Sequence, residues 1–362
     1  MRIAIEVTFA AEEKKTGLSV YTEKLLAALA EQADPDDIFY LLHAQKNWFG
    51  RNYGKNFIPV SYACSNSQLF SICFSLNKTL KKLNVDLFHV LCNSGAPPVC
   101  SVPVLTTVHD LFFLTGKDIP FKTKLILKMM FRWTLWNTQH FISNSETTKN
   151  SLCEFGIPGK KITTIYPGVE NFVYPEPKAV SKPYFLCVGA LEHRKGQTML
   201  AEAYLKALQK KPDLPDLIFI GPRRGDSQHF LKIIENAPKI QWLDYISEGE
   251  LAEYYANAKA FLYPSYQEGF GLPLIEAMSA GIPVICSDIP IFREIADGCA
   301  VFVKPEPHSF SEALEHFENM EFKIEKSYQR AKTFTWKNAA EKLLSIYKER
   351  CTSTVDLKNR SR

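Results

Sequence analysis

Short apolar segments alternate along the chain with longer segments of helical periodicity, and this alternation restricts the possible folds more than any other feature. Strands joined through helices are typical of parallel sheets covered by helices, so the sequence predicts an α/β protein. The predicted strands cover residues 2–7, 38–43, 87–91, 104–109, 140–143, 184–188, 217–220, 240–242, 260–263 and 284–286. The predicted helices cover residues 18–32, 68–83, 121–136, 146–155, 197–210, 248–256, 273–280, 309–318 and 336–349.

The chain of 362 residues is too long for one typical hydrophobic core, so we expect two domains. Residues 166–183 contain Pro167, Pro175, Pro177 and Pro183, and repeated proline interrupts both helices and sheets. The predicted division is an N-terminal domain at 1–172, a C-terminal domain at 173–334, a final helix at 335–350 and a polar tail at 351–362.

Composition narrows the functional classes. No apolar run approaches the roughly 18 residues that a membrane-spanning helix needs, and Glu6 interrupts the first apolar segment, which therefore does not resemble a signal peptide. The nine cysteines are scattered and include no Cys-x-x-Cys pair, which favours reduced thiols in a cytoplasmic protein. A net charge of +4 is too small to indicate nucleic-acid binding.

Residues 268–276, EGFGLPLIE, combine a glycine-rich turn with a predicted helix start and a carboxylate at each end. Pro273 suits the beginning of a helix, where unpaired N–H groups favour phosphate. Gly269 and Gly271 permit close approach of the backbone to a ligand. Glu276, expected in the first helical turn, can bind sugar hydroxyls, and Glu268 lies on the other side of the phosphate position. A nucleotide sugar has this arrangement of groups, although an ordinary loop–helix junction with two solvated glutamates is the alternative.

Five segments together carry a family resemblance. They are VGALEHRKG at 188–196, YPS at 263–265, EGFGLPLIE at 268–276, AGIPV at 280–284 and VHD at 108–110. In this order and spacing the chain resembles glycosyltransferase family 4, a retaining family of nucleotide-sugar glycosyltransferases with the GT-B fold. The resemblance implies two Rossmann-like domains that face each other across a cleft, with the last helix crossing back to the first domain.

The donor would bind mainly to the second domain. Arg194 and Lys195 follow a predicted strand at the edge of the sheet where ligands bind, and an Arg–Lys pair can neutralise a diphosphate. In the family the matching positions hold the donor phosphates and assist the departure of the diphosphate. The resemblance also assigns Glu276 to the ribose hydroxyls and Glu268 to the transferred sugar.

The backbone of the turn itself would face the sugar and phosphate, through Phe270, Gly271 and Leu272. A nucleophilic role for Glu268 would fit double displacement. The resemblance instead favours front-face retention, in which the leaving phosphate accepts the proton of the acceptor.

The acceptor would bind mainly to the first domain. His109 follows a predicted strand, and the family's matching histidine lies near the transferred sugar on the acceptor side; a lone histidine is otherwise more often structural. Gly17 opens a predicted helix and would contact the ligand through its backbone. The family commonly has Gly and Arg where this chain has Ser19 and Val20, so no arginine contact is expected there.

No metal ion and no cofactor other than the donor, a GDP-sugar or UDP-sugar, is expected. Asp34-Pro35-Asp36 has the Asp-x-Asp spacing of metal-dependent glycosyltransferases, but it lies in a predicted surface turn. The resemblance implies that Arg194, Lys195 and a helix N-terminus neutralise the phosphate charge instead.

The segment from Phe121 to Trp136 is basic and amphipathic. Such a helix can lie on an anionic membrane surface or can pack on a sheet with its lysines in water. Lipid-linked acceptors, which are common in the family, keep the membrane alternative open.

The function predicted from these features is a retaining, metal-independent glycosyltransferase. It would move a hexose, with mannose from GDP-mannose as the leading candidate, to a saccharide or lipid-linked acceptor in cell-surface polysaccharide or lipopolysaccharide synthesis. The expected location is the cytoplasm, including the inner face of the membrane, and no nucleic-acid partner is expected. The alternative is a catalytically inactive scaffold or binding protein with the GT-B fold.

Overall fold

The structure is a computed structural model that describes residues 1–11, 17–48, 50–93, 95–115, 120–169, 182–224 and 227–360, with side chains given except at 115 and 353–360. The chain forms two compact units. Met1–Gly168 and Thr335–Arg362 make up the first unit, and Val169–Phe334 makes up the second. The predicted boundary at 172/173 lies outside the described residues.

The first unit contains a seven-stranded sheet in the order β3-β2-β1-β4-β5-β6-β7. All its strand pairs are parallel. The strands are β1 (Arg2–Glu6), β2 (Ile38–His43), β3 (Phe57–Ser61), β4 (Leu87–Val90), β5 (Val104–Val108), β6 (Thr138–Ser143) and β7 (Ile162–Thr164). Every residue of β4 and β5 is buried, as expected of a parallel sheet that has both faces covered.

The second unit contains a six-stranded parallel sheet in the order β10-β9-β8-β11-β12-β13. Its strands are β8 (Tyr184–Val188), β9 (Asp216–Ile220), β10 (Ile240–Leu243), β11 (Ala260–Tyr263), β12 (Val284–Ser287) and β13 (Val301–Val303). In each sheet the first strand in the chain lies beside the fourth, which is the strand order of Rossmann folds. The predicted class of two Rossmann-like α/β domains is confirmed.

The helices are α1 (Gly17–Gln32), α2 (Gln68–Ser71), α3 (Asn77–Leu83), α4 (Phe112–Thr115), α5 (Phe121–Asn137), α6 (Glu146–Glu154), α7 (Gln197–Lys210), α8 (Gln228–Glu235), α9 (Glu248–Asn257), α10 (Leu272–Ser279), α11 (Pro290–Ala296), α12 (Pro307–Glu315), α13 (Ile324–Ala331) and α14 (Trp336–Arg360). A π-helical turn, Ile72–Leu76, connects α2 to α3. The single helix predicted at 68–83 is therefore widened in its middle.

Three strands were not predicted, and all three lie at sheet edges. β3 contains Pro59 and exposes most of its side chains, while β7 and β13 have three residues each. A short or mostly exposed strand carries little apolar periodicity, so its sequence does not distinguish it from a loop. Helices α4, α8, α11 and α13 were also not predicted, because each has eight residues or fewer and therefore carries little helical periodicity.

The last helix belongs to the first unit, as predicted. Its residues Ala340, Leu343 and Tyr347 are fully or almost fully buried in a core cluster shared with Leu25 and Leu26 of α1. The predicted end at residue 350 is wrong, because α14 continues to Arg360 and takes in most of the predicted polar tail.

We predict that Leu343→Ala destabilises the first unit by about 3 kcal/mol. Leu343 is only 1% exposed, and the substitution removes most of a side chain that packs against α1. Urea unfolding measures the change. The exposed neighbour variant Lys342→Ala, on the same helix, should leave the midpoint almost unchanged. Equal midpoints for the two variants would contradict the assignment of α14 to this core.

Candidate active site

The predicted donor residues lie at the carboxyl edge of the second sheet. Arg194 and Lys195 follow β8, and Glu268 follows β11. β8 and β11 are neighbours at the point where the strand order reverses. Ligands of open α/β sheets bind at this switch point, because the chain leaves the two strands on opposite sides.

Gly196 allows the segment after β8 to lie against the segment after β11. It has a φ of +70°, and a Cβ atom on it would lie 2.2 Å from the carbonyl oxygen of Pro264. The backbone N–H of Tyr266 also donates to the carbonyl oxygen of Arg194, at 2.9 Å. These contacts bring Arg194 and Lys195 beside Glu268, which is distant from them in the sequence.

Glu268 is the centre of this site. Its Oε1 accepts hydrogen bonds from Lys195 Nζ at 2.5 Å, from the Tyr263 hydroxyl at 2.8 Å and from Ser265 Oγ at 2.8 Å. Its Oε2 lies 3.3 Å from a guanidinium nitrogen of Arg194. The residue is 8% exposed. A buried carboxylate with this many donors is strongly held in one orientation.

The pKa of the Glu268 carboxyl lies below its ordinary value of 4.5. Burial alone would raise this pKa, but the charges of Lys195 and Arg194, together with the hydrogen bonds from Lys195 and Ser265, lower it by more. Burial raises the pKa of the Tyr263 hydroxyl well above its ordinary value, and the Glu268 carboxylate raises it further. At neutral pH Glu268 is therefore charged, and Tyr263 remains a hydrogen-bond donor.

Other residues of this network were missed by sequence reasoning. Glu192 binds Nε of Arg194 at 2.9 Å and lies 3.8 Å from Arg224, which follows β9. Tyr263 and Ser265 were noted only as part of a family motif. The signal for both was their position at the carboxyl end of β11, where side chains meet those that follow β8.

The glycine-rich turn has a left-handed backbone at Gly271. Gly271 has a φ of +95°, and an added Cβ would lie 3.0 Å from Phe292 and 3.4 Å from Tyr263. Phe270 is 5% exposed and packs edge-on against Phe334, so its side chain is part of the core. α10 begins at Leu272, and the preceding Gly271 supplies no side-chain cap. Its first turn therefore retains the partial positive charge of a helix N-terminus.

Glu276 lies in the second turn of α10, and its predicted place in the first turn is wrong. The helix begins at Leu272, so Glu276 is its fifth residue. The Tyr255 hydroxyl donates to Glu276 Oε2 at 2.8 Å. Tyr255 thus holds a half-buried carboxylate beside the turn that starts the helix.

His109 lies at the carboxyl edge of the first sheet, directly after β5. Its Nε2 is 2.9 Å from the carbonyl oxygen of Leu91, which follows β4, and a carbonyl can only accept. Nε2 therefore carries the proton, and Nδ1 is left as an acceptor. Burial lowers the pKa of His109, so the ring is neutral at pH 7. The side chain of Asn93 joins the two segments by accepting from the His109 N–H and donating to the Asp110 carbonyl.

A buried polar chain supports the His109 ring. Tyr21 of α1 packs edge-on against the imidazole at 4.6 Å between centroids. The Tyr21 hydroxyl contacts Thr107, which lies 2.9 Å from Nε2 of His89. Nδ1 of His89 lies 2.6 Å from the Tyr347 hydroxyl on α14. Burial lowers the pKa of His89 to about 3, so this chain stays uncharged.

Gly17 is the first residue of α1 and is exposed. Among the described atoms, none lies within 4 Å of a Cβ added there, and its φ is not positive. Neither crowding nor backbone conformation therefore requires glycine at this position.

A cavity of about 570 Å³ in the first unit lies apart from these residues. Pro103, Trp136 and Thr138 are among its lining residues, which places it at the amino ends of β5 and β6. His109 follows the carboxyl end of β5, so the cavity opens at the opposite edge of the sheet and is not part of the candidate site.

Comparison with known proteins identifies the family. The family model described as Glycosyltransferase Family 4 matches residues 16–171, and the model described as Glycosyl transferases group 1 matches residues 170–337. The O-antigen chain mannosyltransferase RfbU of Salmonella typhimurium is 30% identical over 325 residues, which cover 84% of this chain and 88% of that protein. The chain belongs to glycosyltransferase family 4.

Solved structures agree with this membership at the level of the fold. Sucrose-phosphate synthase from Thermosynechococcus elongatus has a TM-score of 0.76 and 18% identity, with 97% of this chain and 99% of that chain covered. Anabaena HepE in complex with UDP-glucose has a TM-score of 0.66 and 14% identity, with 98% and 100% covered. The predictions of the family, the GT-B class and glycosyltransferase activity are confirmed.

We predict that Glu268→Gln lowers the free energy of unfolding by about 3 kcal/mol at pH 7, because it leaves Lys195 and Arg194 without their buried counter-charge. A carboxyl with a lowered pKa stabilises the fold above its unfolded-state pKa and loses that effect as pH falls through its folded pKa. The difference in the free energy of unfolding between wild type and variant should therefore be largest at pH 7 and should decrease below about pH 4.5.

Urea unfolding at several pH values measures this difference. Glu318→Gln is the matched control, because Glu318 pairs with Lys259 at the surface and its removal should change stability little. A difference that does not depend on pH would contradict the charged state assigned to Glu268.

For Gly17→Val we predict unchanged stability but a fall of roughly tenfold to hundredfold in kcat/KM, because the added side chain would keep a ligand from the start of α1. Gly159→Val, at another exposed glycine of the first unit, is the control and should be silent in both measurements. Full activity in Gly17→Val would remove Gly17 from the site.

Proposed function

We propose that this glycosyltransferase transfers mannose from GDP-mannose, with retention and without a metal ion, to a saccharide or lipid-linked acceptor in cell-surface polysaccharide synthesis. The observation that carries the proposal is the buried Glu268 carboxylate with Lys195 and Arg194 around it, next to the uncapped start of α10. This arrangement keeps two cations fixed at a sheet edge that suits a nucleotide.

The cations have capacity for a diphosphate. The Lys195 ammonium has three donors, of which Glu268 takes one, and Arg194 is 36% exposed at its side chain. Together with the partial positive charge at the N-terminus of α10, they would stabilise the charge that develops on the leaving phosphate. No metal ion is required for this neutralisation.

The transfer step follows from this placement. The acceptor hydroxyl oxygen forms a bond to C1 of the sugar while the bond from C1 to the phosphate oxygen breaks. The released phosphate oxygen takes the proton of the hydroxyl, so the products are GDP and the mannosylated acceptor. Lys195 and Arg194 would bind the diphosphate more tightly as its charge grows, which favours departure.

The contacts of Glu268 favour front-face retention over double displacement. Three donors approach its Oε1, and a carboxylate held in this way is a weak nucleophile. We propose that Glu268 positions Lys195 and Arg194 and faces the transferred sugar without forming a bond to it.

The remaining donor contacts come from the turn and from α10. Backbone groups of Phe270, Gly271 and Leu272 would face the sugar and phosphate, since the Phe270 side chain is buried. Glu276, held by Tyr255, would accept hydrogen bonds from the ribose hydroxyls.

The acceptor would bind to the first unit. A neutral His109 with Nδ1 as an acceptor can receive a hydrogen bond from a sugar hydroxyl. Gly17 offers an open backbone position at the start of α1.

The choice of mannose rests on the similarity to the O-antigen chain mannosyltransferase RfbU, and GDP is the nucleotide that we propose with it. A UDP-sugar remains the other donor class, since Anabaena HepE was solved with UDP-glucose. Among the helices that the structure describes, none is long and apolar enough to span a bilayer. Independently of that finding, we propose that the enzyme acts in the cytoplasm at the inner face of the membrane, because lipid-linked acceptors are common in the family, and that the helix from Phe121 to Trp136 is its contact.

We predict that Lys195→Ala lowers kcat by about a hundredfold or more with GDP-mannose, because its ammonium acts on the leaving phosphate. Glu276→Ala should instead weaken donor binding by about tenfold to hundredfold. Release of GDP and formation of the glycoside measure turnover, and Lys206→Ala, at an exposed lysine on α7, is the control. Normal turnover in both site variants would contradict the site assignment.

A further inference from the structure

The segment after β9 lies directly beside the segment after β8. The N–H of Arg224 donates to the carbonyl oxygen of Leu191 at 3.2 Å, and Leu191 forms a parallel bridge with Arg223. The pairing of β8 with β9 therefore continues past the ends of both strands. Gly221 permits this approach, because a Cβ atom on it would lie 2.3 Å from the carbonyl oxygen of Gly189. The backbone thus fixes Arg224 beside the residue that follows Leu191.

That residue is Glu192, and its carboxylate joins two arginines. Its Oε2 accepts a hydrogen bond from Nε of Arg194 at 2.9 Å, and its Oε1 lies 3.8 Å from a guanidinium nitrogen of Arg224. Arg194 is held a second time by Glu268, whose Oε2 is 3.3 Å away. The Glu192 side chain is 24% exposed, so water and salt screen these contacts less than at an open surface. One carboxylate ties a cation of the donor site to a cation of the neighbouring segment.

The formal charges show what Arg224 adds to the site. Among the described members of this ion-pair cluster, the carboxylates of Glu192 and Glu268 offset the Arg194 and Lys195 pair, which leaves no net charge. Arg224 brings the sum to +1. A diphosphate is strongly anionic and is attracted more by a positive cleft than by a neutral one. The Arg224 side chain is 43% exposed, so a ligand can reach it.

We propose that Arg224 is a third cation for the diphosphate of the donor, and that Glu192 is a positioning residue that holds Arg194 and Arg224 for this contact. The proposal deepens the proposed function and rests on its donor site. Arg224 would touch phosphate oxygens, whereas Glu192 is an anion and acts only through the arginines. Because a guanidinium presents a rigid fork of donors, its orientation decides how many phosphate oxygens it binds.

Nucleotide binding to the full chain tests the role of Arg224 without turnover. Isothermal titration calorimetry measures GDP and UDP, and saturation-transfer NMR measures the corresponding nucleosides. Arg224→Ala should weaken the nucleoside diphosphate that wild type binds by about tenfold and leave its nucleoside unaffected, because only the phosphates lose a partner. Arg223→Ala is the matched control. It removes the same charge one residue earlier, where the side chain leaves the bridge on the other side, and should bind the diphosphate nearly as wild type does.

Glu192→Gln separates positioning from a simple effect of charge. Removing an anion from a phosphate site would by itself tighten the binding of a diphosphate. Loss of positioning should instead weaken that binding and lower kcat with GDP-mannose, each by about tenfold. Glu192→Asp keeps the charge on a shorter side chain and should recover part of both losses. In Glu192→Gln/Arg224→Ala the two losses should not add, because Glu192 acts partly through Arg224.

The outcomes separate this proposal from the proposed function. Urea unfolding without ligand checks the fold of each variant, and the midpoints should match that of wild type because these ion pairs are partly exposed. Tighter diphosphate binding by Glu192→Gln would overturn the positioning role. Wild-type affinity in Arg224→Ala, or an equal loss in Arg223→Ala, would overturn the third cation and leave the proposed function intact. Absence of nucleotide binding by wild type would overturn both proposals together.

Discussion

The buried Glu268 carboxylate determines the organisation of the second unit's site. Two cations, a tyrosine and a serine converge on its oxygens, and the carboxylate stays charged because these groups offset the cost of its burial. Fixed donors need no rearrangement when charge develops on a departing phosphate, which is the condition for electrostatic catalysis. The same arrangement leaves Lys195 and Arg194 dependent on a residue that follows a different strand.

The parallel topology makes that dependence possible. Because β8 and β11 are neighbours and point the same way, the segments after them meet although Lys195 and Glu268 are far apart in the chain. The first sheet does the same for the segments after β4 and β5, where Asn93 and Leu91 hold His109. One sheet edge thus presents cations, and the other presents a neutral imidazole supported by a buried uncharged chain that reaches α14.

Sequence periodicity was sufficient to predict the central strands, because buried parallel strands are continuous apolar runs. The edge strands β3, β7 and β13 lacked that signal, since they are short or exposed. The family resemblance pointed to Lys195 and Glu268 but not to their hydrogen bond, which depends on Gly196 approaching Pro264. Glu276 lies in the second turn and not in the first because α10 begins at Leu272, one residue before the predicted start at Pro273. The site assignments themselves remain predictions.

The central claim is that the carboxyl edge of the second sheet binds a nucleoside diphosphate through protein cations alone. Thermal unfolding with GDP, UDP, ADP and their sugar conjugates, each with and without EDTA, tests it most directly. We expect GDP and GDP-mannose to raise the melting temperature equally with and without EDTA; a ligand at about 100 times its dissociation constant stabilises the fold by roughly 2.7 kcal/mol. No shift with any nucleotide at millimolar concentration, or a shift that EDTA abolishes, would contradict the account.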